Sequence, residues 1–281
     1  MSVKPCRSAL LAAVALTALA GRVAAQSPER PQLVIGMTGG FLTGPQLWRL
    51  NRQPVLVDWS GAIDSVSLQR LFRTGFVAGV GATLYRSPHF GYTLEIAFLG
   101  LPTESRCSPL GPALDPYAYD PRGLNEQTCL SVQGRGIATN AATFQAGVTW
   151  RAQPRAALQP YVRGMVGVAV LGGSFVTSEG LAVSDTTPPQ TILSRSLLDD
   201  RNPRGLTWVA TLAAGVSLRV NEGYRVRFEI RDMVINLPVA TGPSTATTYP
   251  PYAQVGSRAV HLPAFTVSLD LLMERERARR Y

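Results

Sequence analysis

Charged residues alternate with apolar residues in segment 224–231, so all of its charges fall on one side of the chain. Arg225, Arg227, Glu229 and Arg231 occupy every second position, and the residues between them are apolar or aromatic. Side chains two positions apart share one face of a β-strand. Arginines and carboxylates on such a face form ion pairs when they are buried, or select ions when they line a pore.

The same separation of charged and apolar faces recurs in other segments that have strand periodicity. In each of them the charged residues lie opposite the apolar face, and together they are predicted to form an interior charge network: Glu95, Arg151, Arg163, Arg219, Arg225, Arg227, Glu229, Arg231 and Asp270. Glycines on the same face make room for these side chains: Gly79, Gly81, Gly147, Gly167 and Gly215. The pattern predicts an interior filled by ion pairs.

Residues for catalysis or metal binding are scarce. The chain has two histidines, His89 and His261, and no G-x-S-x-G, H-E-x-x-H or phosphate-binding loop. Ser257 is close to His261 in sequence, but no motif fixes their geometry. The sequence therefore predicts no catalytic residues, no metal site and no cofactor.

Residues 1–25 are typical of a secretory signal peptide. Lys4 and Arg7 precede an apolar stretch from Ala9 to Ala20, and Val23-Ala24-Ala25 forms a small-residue cleavage site before Gln26. The chain that remains holds two cysteines, Cys107 and Cys129. Since exported proteins meet an oxidising environment, we predict a disulfide between them. Closing this loop would contribute about 3 kcal/mol in the chain-entropy model.

The net charge alone does not indicate nucleic-acid binding. The whole chain carries +9 at pH 7, and loss of Lys4, Arg7 and Arg22 with the signal leaves +6. The remaining cations are arginines spread singly through strands and loops. The only cluster, in the tail 274–281, alternates with glutamates and is predicted to be a solvated charged end.

Eight strands are predicted, and their connections alternate between long and short. The strands cover 32–42, 74–86, 91–100, 139–151, 159–172, two segments joined by the turn Asn221-Glu222-Gly223, and 258–273. The long connections are 43–74, 101–138, 173–205 and 238–257, of which the first holds a further short strand candidate at 53–59. No later segment has the ~20 apolar residues of a membrane helix. The pattern predicts an all-β fold, an eight-stranded antiparallel up-and-down barrel spanning residues 26–273.

The charges decide which face of this barrel should point outward. A soluble barrel of lipocalin type would enclose the apolar face and expose the charges, whereas a membrane barrel does the reverse. So many charges in a soluble apolar core would be costly. Four aromatic residues fall near strand ends on the apolar face, where interfacial girdles lie: Tyr92, Trp150, Trp208 and Tyr224. We predict a transmembrane barrel.

The signal peptide, the eight alternating strands and the last strand AFTVSLDLL together resemble the small outer-membrane β-barrel superfamily, with OmpA-like and OmpX-like barrels. The resemblance covers 32–273. It implies export through the periplasm of a diderm (Gram-negative-type) bacterium, contact with outer-membrane lipid, and insertion with the help of periplasmic chaperones and the barrel-assembly machinery. Such proteins usually end on the aromatic residue of the last strand, whereas here ERERARRY follows Met273. The assembly signal is therefore either Leu271 or Tyr281.

The expected role is structural or surface-interacting, because eight strands enclose an interior only just wide enough for side chains. A narrow pore for small solutes and an outer-membrane lipid-modifying enzyme using His261 are the two alternatives. The long loops either bind an extracellular ligand or fold onto the barrel rim through their aromatic residues: Trp48, Trp59, Tyr117, Tyr119, Tyr249 and Tyr252.

Overall fold

The computed structural model describes residues 32–56, 63–110, 124–132, 136–184, 191–200, 205–243 and 252–273. The predicted signal peptide 1–25 and the tail 274–281 lie outside these ranges, as do Trp59, Tyr117, Tyr119 and Tyr249. In the described part, no helix has both the length and the apolar character to cross a membrane.

The described residues form strands and one helix in the following chain order: β1 (Gln32–Leu42), β2 (Gln46–Leu56), β3 (Ile63–Phe72), β4 (Gly75–Tyr85), β5 (Phe90–Gly100), β6 (Thr103–Pro109), α1 (Leu124–Val132), β7 (Gly136–Ile137), β8 (Asn140–Arg151), β9 (Leu158–Gly172), β10 (Ser178–Ser184), β11 (Thr191–Leu198), β12 (Gly205–Arg219), β13 (Tyr224–Gly242) and β14 (Gln254–Met273).

Eight of these strands close into a barrel in the order β1-β14-β13-β12-β9-β8-β5-β4. Every neighbouring pair is antiparallel, each strand pairs with the next barrel strand along the chain, and β14 returns to pair with β1. The prediction of an eight-stranded antiparallel up-and-down barrel is confirmed. We call the end with the short connections the turn end and the opposite one the loop end.

The register of the pairs fixes the slope of the strands. A walk round the barrel through paired residues leaves β1 at Leu42 and returns to it at Gln32, ten residues away. It passes through Ala264, Arg231, Ala213, Arg163, Thr149, Gly91 and Tyr85. For eight strands this stagger corresponds to a tilt of about 40°. The interior is therefore only wide enough for side chains.

The predicted turn between β12 and β13 is held by one side chain. Asn221 Oδ1 accepts hydrogen bonds from the backbone amides of Gly223 at 2.9 Å and Tyr224 at 2.8 Å. The amide of Val220 donates to the carbonyl of Tyr224. An asparagine side chain that bonds its own backbone two residues on favours a tight reversal. The hairpin of β12 and β13 therefore starts from a locally specified turn.

The connections at the loop end build a second structure, which we call the cap. It consists of the sheet β2-β3-β6-β7, the hairpin β10-β11 and helix α1. Residues 53–56 of the short strand expected at 53–59 form the end of the longer β2, and residues 57–59 lie outside the described ranges. The partner strand β3 was not predicted. The connection 238–257 is shorter than expected, because β13 continues to Gly242 and β14 begins at Gln254.

The predicted disulfide is confirmed. It joins Cys107 on β6 to Cys129 on α1, with a Cα–Cα distance of 5.0 Å and a sequence separation of 22. Both cysteines are buried. The bond therefore ties the helix to the sheet inside the cap and makes no link to the barrel wall.

Replacing both cysteines by alanine is expected to loosen the cap and leave the barrel intact. In the chain-entropy model the bridge contributes about 3 kcal/mol, and both of its ends lie in the cap. Hydrogen exchange should show lost protection in α1 and β6 and unchanged protection in β5 and β8. Equal loss of protection in both regions would contradict this division.

Candidate functional site in the barrel interior

The outer wall of the barrel is apolar. Mid-strand side chains such as Leu94, Val166 and Ile230 point outward and are more than half exposed. The four predicted interfacial aromatics also point outward: Tyr92, Trp150 and Tyr224 toward the turn end and Trp208 toward the loop end. An additional aromatic group lies near the loop end, where Phe41 is in register with Phe76 and the rings of Phe76 and Phe98 are 5.9 Å apart.

A closed ring of four charges fills the middle of the interior. Arg163 Nη2 and Arg231 Nη2 lie 2.7 Å and 2.8 Å from Glu229 Oε1. Arg231 Nη1 lies 2.7 Å from Glu95 Oε1, and Arg163 Nη1 lies 2.9 Å from Glu95 Oε2, the last contact without hydrogen-bond alignment. Each arginine thus contacts both acids. We call these four residues the charge ring.

The charge ring spans the barrel because its members come from opposite walls. Glu95 is on β5, Arg163 on β9, and Glu229 and Arg231 on β13, which lies four strands from β5 in the ring of eight. Tyr161 adds a hydrogen bond of 2.7 Å to Glu229 Oε2. All four charged side chains are almost completely buried. Buried charges are tolerated when they pair closely with opposite charges, and the four charges of the ring do so.

A second layer of charged side chains lies between the charge ring and the turn end, and in it the arginines outnumber the carboxylates. Arg227 Nη2 is 3.2 Å from Asp270 Oδ1, again without hydrogen-bond alignment. Arg225 donates from Nη1 to Gln159 Oε1 at 2.7 Å. The guanidinium of Arg151 stacks on the ring of Tyr85 at 3.9 Å.

Eight of the nine predicted network residues therefore point into the barrel. The prediction is wrong for Arg219, whose side chain is exposed. It is the last residue of β12, next to the turn, and there a long cationic side chain reaches water more easily than it enters the interior.

The half of the interior nearer the loop end is apolar, which corrects the expectation of a polar lumen throughout. Beyond Arg231 the inward positions of β13 are Met233, Ile235, Leu237 and Val239, all buried. The corresponding buried positions on the other strands are Val77, Leu99, Ala141, Leu171, Val209, Val260 and Leu262. The sequence contains a sign of this apolar layer that the prediction did not use. In β13 the apolar residues of the alternating pattern occupy even-numbered positions before Asp232 and odd-numbered positions after it.

The cap closes the loop end over this apolar layer. Trp48 Nε1 donates to the carbonyl of Phe175 at 2.9 Å, and both side chains are buried in a core shared with the barrel interior. Arg70 is fully buried, donates to the carbonyl of Thr177 and lies over Trp48. Burial lowers the pKa of Arg70 to about 10, so it remains charged at neutral pH. Trp48 therefore folds the loop onto the barrel, one of the two expected roles of loop aromatics.

The histidines do not form a recognisable catalytic group. His89 lies in a short turn, 2.9 Å from the carbonyl of Arg151. His261 points outward on β14, and its Nδ1 is 2.7 Å from Asp232 Oδ2. Ser257 is four residues along the same strand, about 13 Å away at the usual rise per residue. A hydroxyl at that distance is out of reach of the imidazole.

No protein-family model matches the sequence, and no curated protein matches it either. Among solved structures, the chain is similar to Neisserial surface protein A, with 8% identity, a TM-score of 0.41, and coverage of 86% of this chain and 99% of that one. It is also similar to the outer membrane protein OprG from Pseudomonas aeruginosa, with 10% identity, a TM-score of 0.42, and coverage of 89% and 100%. The outer membrane protein AlkL gives 10% identity, a TM-score of 0.40, and coverage of 90% and 95%. The closed strand ring shows the fold: this chain is a small eight-stranded antiparallel up-and-down β-barrel with a charge ring inside.

Proposed function

We propose that the protein is an outer-membrane β-barrel of a diderm bacterium with a closed lumen and a structural or surface-interaction role. The proposal rests on the positions of the apolar and charged faces of the barrel, which are the reverse of those in a soluble barrel. The wall is apolar on the outside, and the charge ring lies inside. In water an exposed apolar wall of this extent would aggregate, whereas in a bilayer it is the required surface.

The dimensions of the wall support this location. At a tilt of about 40°, each residue advances roughly 2.5 Å along the barrel axis. Ten residues of strand therefore cover about 25 Å, the height of the apolar band in outer-membrane barrels. Since such barrels have short periplasmic turns, the turn end would face the periplasm and the cap would face the exterior. Export through the periplasm and insertion by the assembly machinery are part of the same proposal.

Two layers argue for a closed lumen. The charge ring crosses the barrel from β5 to β13, and the apolar layer above it is continuous with the core of the cap. A solute would have to separate paired charges and then displace packed side chains. The pore alternative is therefore disfavoured. The enzyme alternative is also disfavoured, because Ser257, the described serine closest to His261 in sequence, lies about 13 Å from it along β14.

The folded protein should give no stable conductance in planar bilayers. The same preparation should fractionate with outer membranes and change its electrophoretic mobility on heating, which shows that the barrel was folded when tested. Removing the cap core with Trp48→Ala should also leave the conductance at baseline, because the charge ring remains. Stable channels in the unmodified protein would exclude a closed lumen.

A surface role would belong to the cap, which is expected to lie outside the bilayer on the exterior side. Its rigidity is provided by the disulfide and by the shared core with the barrel. Rigid scaffolds that present loops are the usual platform for binding. A ligand of the cap should then bind the unmodified protein and lose affinity in the Cys107→Ala/Cys129→Ala variant.

A further inference from the structure

We infer that the barrel holds a binding site for one small monovalent anion of the halide type, between the charge ring and the turn end. The site is a cavity lined by Thr83, Thr93, Tyr161, Ser217, Arg225 and Arg227, among other residues. Arg163 of the charge ring also lines the cavity on the side of the ring, and the site is not part of the proposed surface role.

The lining of the cavity carries excess positive charge. Within the charge ring, two arginines balance two glutamates. Below it, Arg151, Arg225 and Arg227 line the cavity with one carboxylate, that of Asp270, so this part of the cavity lining has two positive charges in excess. An uncompensated charge in a buried site is costly unless a counter-ion neutralises it. Water would supply hydrogen bonds but would leave the charge in place.

Arg225 is buried with its hydrogen-bonding capacity only partly used. Its side chain is only 5% exposed, and its hydrogen bond from Nη1 goes to the neutral amide oxygen of Gln159. Its Nε has no hydrogen-bond partner, and the same is true of Arg227 Nε. Asp270 pairs in register with Arg225, but its contact within ion-pair distance is with Arg227. Two arginines that each have an unpartnered guanidinium N–H therefore line the same cavity.

The cavity is small. The cavity has a volume of about 20 Å³, and roughly 10–15 Å³ measured in this way accommodates one water molecule. A single halide ion fits such a space, whereas a phosphate or a carboxylic acid does not. Threonine and serine hydroxyls in the lining can rotate to donate to the ion.

The test is a chloride titration of the full-length folded protein in zwitterionic detergent micelles at constant ionic strength, with gluconate as the replacing anion. Chloride and bromide should raise the thermal unfolding temperature with a saturable dependence, and gluconate should not. Chlorine-35 NMR line broadening should saturate over the same concentration range. No saturable effect in either measurement would mean that the cavity holds water only, and the proposal would be wrong.

A matched pair of variants locates the site. Arg225→Gln should weaken chloride binding by about tenfold or more, because it removes a charged donor. Arg219→Gln is the control and removes the same charge. Arg219 is in register with Arg225, but its exposed side chain does not line the cavity. It should bind chloride like the unmodified protein. Equal weakening in both variants would indicate general electrostatics and overturn the assignment.

A third variant covers the case in which Arg225→Gln does not fold. Ser217→Leu leaves every charge in place and fills the cavity from β12, since Ser217 lines it and is nearly buried. It should abolish the saturable chloride effect in both measurements. Full chloride binding in Ser217→Leu would place the ion elsewhere and contradict the proposal.

Discussion

Glu229→Gln should destabilise the folded barrel by about 3–5 kcal/mol, the largest effect expected of a single substitution in this protein. The substitution preserves the volume of the side chain and removes its charge. Arg163 and Arg231 would then share only Glu95, and one buried positive charge would have no counter-charge. The measurement is reversible urea unfolding of the protein in phospholipid vesicles, followed by tryptophan fluorescence.

The control is Glu222→Gln in the turn between β12 and β13. Glu222 is exposed, so removing its charge should change the free energy of unfolding by no more than about 0.5 kcal/mol. Adding Arg231→Met to Glu229→Gln leaves Arg163 paired with Glu95 and should recover part of the lost stability. If the two glutamate variants were equally stable, the charge ring would contribute nothing measurable.

Leu94→Arg should destabilise the protein in a bilayer by about 2–4 kcal/mol, the cost of an arginine near the lipid midplane of a barrel. Leu94 is the fifth residue of β5, is 63% exposed on the outer wall, and lies between Ala82 and Ala146. The same unfolding experiment in vesicles measures the change.

Leu130→Arg is the matched control, because Leu130 is 58% exposed on helix α1 of the cap. Both leucines are similarly exposed, but only Leu94 should contact hydrocarbon. Leu130→Arg should stay within about 0.5 kcal/mol of the unmodified protein. An equally small effect at Leu94 would remove the physical basis for placing this wall in a membrane.

Much of the barrel follows from local pattern. The two-residue period of Tyr224–Arg231 separates charged from apolar faces without any knowledge of neighbouring strands. The turn Asn221-Glu222-Gly223 is specified by the short-range bonds of one asparagine side chain. The alternation of long and short connections then leaves an antiparallel ring as the simplest closure. These features depend on residues close together in sequence.

The cap and the apolar half of the interior could not be predicted in the same way. The sheet β2-β3-β6-β7 brings together two separate connections, and register shifts interrupt its pairing near Trp48 and between Leu50 and Gln53. The phase change at Asp232 in β13 is visible in the sequence, but its meaning depends on the presence of the cap. Only with a core above the barrel does an inward apolar face become favourable there.

The sequence by itself determined which residues share a face, since strand periodicity is a local property of the backbone. It also determined that the charged face should lie inside, because placing so many charges in contact with an apolar environment would cost too much free energy. Only the tertiary structure decided which charges meet. Glu95 and Arg231 are 136 residues apart and contact each other across the barrel, while Arg219 turns to water. Pairing depends on the register and tilt of all eight strands together, and no local segment carries that information.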